Sequence, residues 1–114
     1  MIDITMFSGE KNEFASCKAM GHSEFAKQGC DVVCSAVSVL LRTAVLSLEE
    51  RTKLDENLKV ELSYPGRGDV EINILEYGVS SFDYLVFLFG FLKLGLMSLS
   101  AEYPEFVCLK CLKL

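Results

Sequence analysis

The sequence has little positive charge, a single histidine and no second Cys-x-x-Cys pair. Its 11 lysines and arginines stand against 16 aspartates and glutamates, which gives a net charge of −5. An acidic surface disfavours direct binding to nucleic acid and favours basic partners. No basic segment precedes an apolar run at the N-terminus, so we expect no secretory signal and a cytoplasmic location.

The sequence also lacks internal repeats, low-complexity tracts and a linker between domains. With 51% hydrophobic residues, a chain of 114 residues can bury a core without cross-links. We therefore expect one domain over residues 1–114. Five cysteines are an odd number, and in a reducing compartment they are expected to be thiols rather than disulfides.

Hydrophobic periodicity predicts five strands and two helices. Apolar residues alternate near residues 2–6, 14–20, 58–64, 70–74 and 106–112, as in half-buried strands. Spacings of three and four predict helices over about 32–50 and 82–99, the second capped by Ser80 or Ser81. The expected fold is α+β, a two-layer α/β sandwich with the order β-β-α-β-β-α-β, a mixed or antiparallel sheet and both helices on one face.

The second helix is apolar on more than one side. Asp83, Gly90, Lys93 and Gly95 argue against a membrane span, although the apolar segment is nearly long enough for one. One sheet cannot cover both sides of this helix, so we expect part of its surface to meet a second copy of the chain in a homodimer. No membrane partner is expected.

The segment from Gly21 to Ser38 contains the residues best suited to chemistry. His22, the chain's only imidazole, lies twelve residues before Cys34, at the start of a polar loop bounded by Gly21 and Gly29. If Asp31 is the N-cap, Cys34 is the third helical residue, where free backbone N–H groups and the helix dipole favour a thiolate and a developing oxyanion. These features make Cys34 a candidate nucleophile and His22 its candidate general base.

Two further side chains of this segment have more than one interpretation. Asp31 caps the helix or orients the imidazolium, and its negative charge beside the thiol would oppose ionisation. Ser38 lies one helical turn after Cys34, where it positions the sulfur or bonds back to a carbonyl. A cysteine at a helix start is also often a small buried core residue.

The other cysteines are more simply explained as core or surface residues. Cys30 precedes the predicted cap, and Cys17 lies in the apolar phase of a strand. Cys108 and Cys111 would face opposite sides of a strand, and a structural zinc site needs four ligands from two such pairs. We therefore expect no metal and no cofactor.

The whole segment resembles the ribosomal-processing cysteine protease family known as Prp. The resemblance rests on Gly21-His22, on the run from Gly29 to Cys34 (Gly-Cys-Asp-Val-Val-Cys), and on Ser38. The serines after His22 and after Cys34 replace the usual alanines and remove no catalytic group. The resemblance implies a dimeric cysteine endopeptidase with His22 and Cys34 as the catalytic pair, and Asp31 and Ser38 in support.

The same resemblance implies a substrate and a mechanism. The implied substrate is the N-terminal extension of a basic large-subunit ribosomal protein, number twenty-seven, whose removal matures the ribosome. The implied chemistry is acyl transfer through Cys34. We expect the loop between Gly21 and Gly29 to move to admit the peptide and to become ordered over it. Two alternatives remain open: a catalytically silent ribosome-assembly module, and a redox or metal-responsive protein that uses its cysteines.

Overall fold

The chain folds into five strands and two long helices in the predicted order. The computed structural model describes residues 1–21, 30–66 and 68–114, with the backbone alone for residues 30 and 31. The helices are α1 (Cys30–Thr52) and α2 (Phe82–Glu102), each a few residues longer than predicted. The strands are β1 (Ile2–Ser8), β2 (Phe14–Met20), β3 (Lys59–Ser63), β4 (Val70–Glu76) and β5 (Val107–Lys113).

The strands form one mixed sheet in the spatial order β3-β4-β2-β1-β5. β1 pairs with β2 in antiparallel and with β5 in parallel orientation, so Met6 lies between Cys17 and Cys111. β4 pairs in antiparallel orientation with both β2 and β3. The parallel pair follows from the chain crossing over through α2 before it returns as β5.

Both helices pack on the same face of this sheet, which confirms the predicted two-layer α+β sandwich. Ile2, Ile4 and Met6 alternate along β1 and are buried. They share one core with a stripe from each helix; the stripes are Val33, Val37, Leu41, Ala44 and Leu48 from α1, and Leu85, Leu88, Phe89, Leu92 and Leu96 from α2. The spacing of three and four residues places each stripe on one side of its helix.

The other face of the sheet carries polar side chains. Ser16 Oγ donates a hydrogen bond to Asn73 Oδ1 (2.8 Å), and Asn73 Nδ2 donates one to Glu71 Oε1 (3.1 Å). Lys18 Nζ lies 3.8 Å from the same carboxylate oxygen. These polar groups lie on the face of the sheet away from the helices, and antiparallel strands commonly leave one face in contact with water.

By length and composition alone, segments 32–52 and 79–102 are apolar enough to cross a membrane. Core helices of globular proteins meet the same criterion, and both of these helices place a stripe of side chains on the sheet.

A buried polar network joins the loop after α1 to the start of α2. Asp55 accepts hydrogen bonds from Ser81 Oγ (2.6 Å), the Gly78 amide (2.9 Å) and the Asn57 amide (3.0 Å). The Ser81 hydroxyl above all lowers the pKa of Asp55, against an opposing effect of burial. Because its folded-state pKa is lowered, the carboxylate stabilises the fold above its ordinary pKa, and this contribution is lost as the pH falls through the folded-state pKa.

Arg51, near the end of α1, extends this network. Its Nε donates to Ser81 Oγ (3.0 Å), and its guanidinium also donates to the Ser80 carbonyl. The guanidinium carbon lies 5.2 Å from the centre of the Tyr84 ring. Ser81 directly precedes α2, as predicted, but its side chain makes no capping bond to the helix. Its hydroxyl links Arg51 to Asp55 instead.

We predict that Ser81→Ala lowers the free energy of unfolding by about 1–3 kcal/mol, because it removes a hydrogen-bond partner from the buried Asp55 and from the half-buried Arg51. The neighbouring Ser80 has an exposed side chain, so Ser80→Ala should stay within about 0.5 kcal/mol of the unaltered protein. Urea unfolding followed by circular dichroism measures both. Equal losses for the two variants would show that the Ser81 hydroxyl has no special role.

Candidate active site

The start of α1 differs from the prediction by two positions. The helix begins at Cys30, so Asp31 is the second helical residue and Cys34 the fifth. The prediction that Asp31 is the N-cap and Cys34 the third residue is therefore wrong. The capping preference is worth only about 1 kcal/mol, and an acidic residue is also favourable within the first turn, so the sequence pattern fits either position.

This shift changes which amides are free at the helix end. An α-helix leaves the N–H groups of its first turn without intrahelical partners, and these precede the fifth residue. The amide of Cys34 itself is therefore not among the expected oxyanion donors. The Cys34 side chain is half-buried and packs against the core cluster, close behind that first turn.

A cleft of about 490 Å³ opens between α1 and the turn that joins β3 to β4. Ser38, one helical turn after Cys34, lies on its wall, whereas Cys34 itself is not among the residues that line the cleft. Leu41 and Val45 continue that wall, and Tyr64 and Asp69 contribute from the turn. Arg42 also lines the cleft from α1, so its walls combine apolar side chains with polar and charged ones.

Gly21 is held firmly at the end of β2. Its φ of +87° favours glycine, and a Cβ atom there would lie 2.7 Å from the Met1 carbonyl oxygen. Its amide donates a hydrogen bond to Asp69 Oδ1 (2.9 Å). Gly21 is therefore held in place where the loop begins, and its role as a hinge of that loop stays a prediction.

His22 and Gly29 lie outside the described residues, and so does the side chain of Asp31. The structure thus places Cys34, Ser38 and Gly21 at the same end of the molecule and leaves the pairing with His22 as a prediction. Sequence reasoning missed Asp69 as a residue of this region. No local pattern links it to Gly21, which is 48 residues away in the chain.

The remaining described cysteines are poorly suited to nucleophilic chemistry. Burial raises the pKa of Cys17 to about 12, with a smaller contribution from the nearby Cys111. Burial also raises the pKa of Cys111, against the opposing charge of Lys93. A thiol reacts as the thiolate, so both shifts reduce reactivity near neutral pH.

The strand pairing also limits disulfide formation. Cys17 and Cys111 lie on β2 and β5, and β1 runs between them. Two strand spacings separate their Cα atoms by roughly 9–10 Å, which is too far for a disulfide. Cys108 and Cys111 point to opposite faces of β5, as predicted. Within residues 1–21, 30–66 and 68–114, no three His, Cys, Asp or Glu residues form a cluster that could hold a metal ion.

Comparison with known proteins gives a family and a set of similar structures. Residues 1–108 match the sequence model of a family described as Cysteine protease Prp. The structure of SMU.848 from Streptococcus mutans is similar, with 28% identity, a TM-score of 0.80 and coverage of 100% of this chain and 96% of that chain. A search of curated proteins gives no match.

Two structures of the essential ribosomal processing protease Prp from S. aureus have the same fold. The one with a substrate peptide has 18% identity and a TM-score of 0.78. The one with a covalently linked product peptide has 19% identity and a TM-score of 0.75. Each comparison covers 97% of this chain and 99% of the other.

We predict that Cys17 resists alkylation in the native protein. With a pKa of about 12, roughly one thiol in ten thousand is ionised at pH 8, and the side chain is buried. Treatment with iodoacetamide followed by peptide mass spectrometry should modify the exposed Cys111 but not Cys17. Protein unfolded in guanidinium chloride is the control, in which both should react. Native Cys17 reacting as fast as Cys111 would contradict the prediction.

Proposed function

The chain belongs to the cysteine protease Prp family, and on this premise we propose that it removes the N-terminal extension of a large-subunit ribosomal protein. The family match over residues 1–108 carries the proposal and makes the protein a cysteine protease. The identity of the substrate, ribosomal protein number twenty-seven, and the catalytic pair are our proposals for this chain.

Cys34 is the proposed nucleophile. It lies near the start of α1, and the cleft begins one helical turn away at Ser38. Its half-buried side chain differs from Cys17, which is sealed in the core, and from Cys108 and Cys111, which lie on an edge strand. A peptide that occupies the cleft would therefore pass within about one helical turn of Cys34.

His22 is the proposed general base and acid. It is the chain's only histidine and directly follows Gly21, whose amide is fixed against the β3–β4 turn. An imidazole titrates near neutral pH and can both accept and return a proton. Asp31 and Ser38 are proposed to support this pair, Asp31 from the first turn of α1 and Ser38 from the wall of the cleft.

The proposed reaction proceeds by acyl transfer. His22 takes the Cys34 proton, and the thiolate forms a bond to the scissile carbonyl carbon. The C–N bond breaks when His22 returns the proton to the leaving amine, which leaves a thioester on Cys34. Water, deprotonated by His22, then attacks this thioester, releases the carboxylate product and restores the thiol.

The charge and the cleft both suit the proposed substrate. A net charge of −5 favours encounter with a basic ribosomal protein. The cleft offers apolar side chains for a peptide segment to contact, and Arg42 and Asp69 add one charged side chain of each sign. The S. aureus protein of the same fold is named a ribosomal processing protease and binds a substrate peptide. Because the proposed substrate is a component of the ribosome, we place the reaction in the cytoplasm.

A peptide that copies the N-terminal extension of the ribosomal protein tests this proposal. We predict that the unaltered protein cuts it at one bond, and that Cys34→Ala and His22→Ala each lower kcat by at least about a thousandfold. Cys108→Ala is the control and should retain full activity. Mass spectrometry identifies the cleaved bond and measures the rate of cleavage. Cutting by Cys34→Ala would disprove the nucleophile, and binding without cutting by the unaltered protein would favour a silent assembly module.

We further propose that the outer side of α2 joins two copies of the chain. Phe87, Phe91, Leu94 and Met97 expose between 47% and 69% of their surface there. The two rings stack with centroids 5.6 Å apart, and an added Cβ on Gly90 would touch nothing within 4 Å. This helix therefore presents an aromatic ridge beside a shallow gap.

A second copy suits such a surface because a two-fold interface pairs a patch with itself. The ridge formed by Phe87 and Phe91 of one copy can fill the gap at Gly90 of the other. Single exposed apolar residues are ordinary on a protein surface, but a contiguous group of this size commonly marks an interface.

We predict that Phe91→Glu raises the dissociation constant of the dimer by at least about thirtyfold, because it buries a charge where an aromatic anchor packed. Val79→Glu is the control: Val79 is 95% exposed, precedes α2, and should leave the dimer intact. Sedimentation equilibrium measures both. Unchanged association of Phe91→Glu would exclude this face as the interface, and a monomeric unaltered protein would exclude the dimer.

A further inference from the structure

Three parts of the chain meet where β2 ends. They are the N-terminal residue Met1, the strand end at Gly21 and the β3–β4 turn at Asp69. Gly21 approaches Met1 so closely that a Cβ atom would lie 2.7 Å from the carbonyl oxygen. On its other side, the Gly21 amide donates to Asp69 Oδ1 at 2.9 Å. Gly21 is thus held by a hydrogen bond on one side, and on the other side the Met1 carbonyl leaves no room for a side chain.

Asp69 is itself held in place by its own turn. Its amide donates to the Gly66 carbonyl (3.0 Å), and Gly68 takes a positive φ of +79° within the turn. The second carboxylate oxygen lies over Gly66, where a Cβ atom would be 2.6 Å away. Both oxygens of this half-buried carboxylate therefore have defined positions. A charged acceptor makes a stronger bond to a backbone amide than a neutral one does.

Asp69 also lies on the wall of the cleft opposite Ser38. It therefore joins two parts of the proposed site: the surface on which a peptide would lie, and the strand end from which His22 follows. We propose that Asp69 is a positioning residue for the protease reaction, because it bonds the Met20–Gly21 peptide unit and so holds the residue that directly precedes the general base. This inference rests on the proposed function of His22 and Cys34.

The physical reason is the short reach of proton transfer. A general base acts within hydrogen-bonding distance of the proton it takes, and a displacement of about 1 Å can cost up to a hundredfold in rate. Asp69 is 48 residues from Gly21 in sequence, so its bond sets the position of the strand end relative to the cleft. No other described side chain makes a hydrogen bond to the Gly21 amide.

Three substitutions of Asp69 separate positioning from charge. Asp69→Asn keeps an oxygen that accepts from Gly21 and removes the charge. Asp69→Glu keeps the charge and moves the oxygens by one bond, about 1.5 Å. Asp69→Ala removes both. Asp83→Ala is the control, since Asp83 is an exposed residue of α2 outside the cleft.

The first measurement is steady-state cleavage of the extension peptide. We expect Asp69→Ala and Asp69→Glu to lower kcat by about tenfold or more, with KM changed by less than about threefold. Asp69→Asn should recover kcat to within about threefold, and Asp83→Ala should match the unaltered protein. Equal losses in the Asn and Ala variants would overturn positioning through the hydrogen bond. Full activity in the Glu variant would overturn it even if the Ala variant does not fold.

The second measurement does not need the proposed substrate. The rate of Cys34 alkylation by iodoacetamide is followed against pH in each variant by mass spectrometry. We expect His22→Ala to change this profile, Asp69→Ala and Asp69→Glu to change it in the same direction, and Asp69→Asn to preserve it. A profile unchanged in the Ala and Glu variants, while His22→Ala changes it, would overturn the role of Asp69 alone. A profile unchanged in His22→Ala would overturn the catalytic pair and with it this inference.

Discussion

The packing of both helices on one face of the sheet determines the rest of this structure. A five-stranded sheet with one covered face can bury one stripe from each helix, and it does so through a single apolar core. α1 then runs beside the β3–β4 turn, which opens the cleft next to Ser38. α2 keeps an apolar outer side that the described residues of the chain leave exposed. The site and the proposed dimer contact thus both follow from one packing arrangement.

The polar groups near the two ends of the helices serve different purposes. Near the end of α1, the half-buried Arg51 bonds the buried Ser81, which in turn bonds the buried Asp55. Such networks are costly to disrupt because a lone buried charge has no water to replace its partner. At the other end, Asp69 bonds a strand end that leads into the proposed site. The first network joins the end of α1 to the start of α2, whereas the Asp69 bond joins the β3–β4 turn to the end of β2, where we propose that it positions the general base.

The sequence predicted those features that depend on local periodicity. The order of elements, the single covered face and the start of α2 at Phe82 were all accessible from the spacing of apolar residues. The start of α1 was misplaced because Asp31 suits both a cap and a first turn. Ser81 was correctly placed before α2, but its side chain bonds Asp55 rather than the helix. The helix propensity of a residue helps to predict its position in a helix, but it does not predict which distant group its side chain contacts.

The candidate site shows the same division between local and distant information. Cys34, His22, Asp31 and Ser38 lie within one short segment, so a motif can identify them together. Asp69 reaches this region only because β4 pairs with β2 and brings its turn to the end of that strand. A long-range contact of this kind has no periodicity to reveal it, and the three-dimensional structure is needed to find it.

Cys17 and Cys34 differ in how deeply the fold buries them. Met6 and its neighbours in the sheet hold Cys17 in the core, where desolvation suppresses its ionisation. Cys34 also contacts the core, but it does so from the beginning of a helix whose next turn opens on a cleft. Burial thus separates Cys17 from Cys34, whereas access to solvent alone does not separate Cys34 from Cys108 and Cys111. The proposal for Cys34 therefore depends on its place near the start of α1, one helical turn before the cleft wall at Ser38.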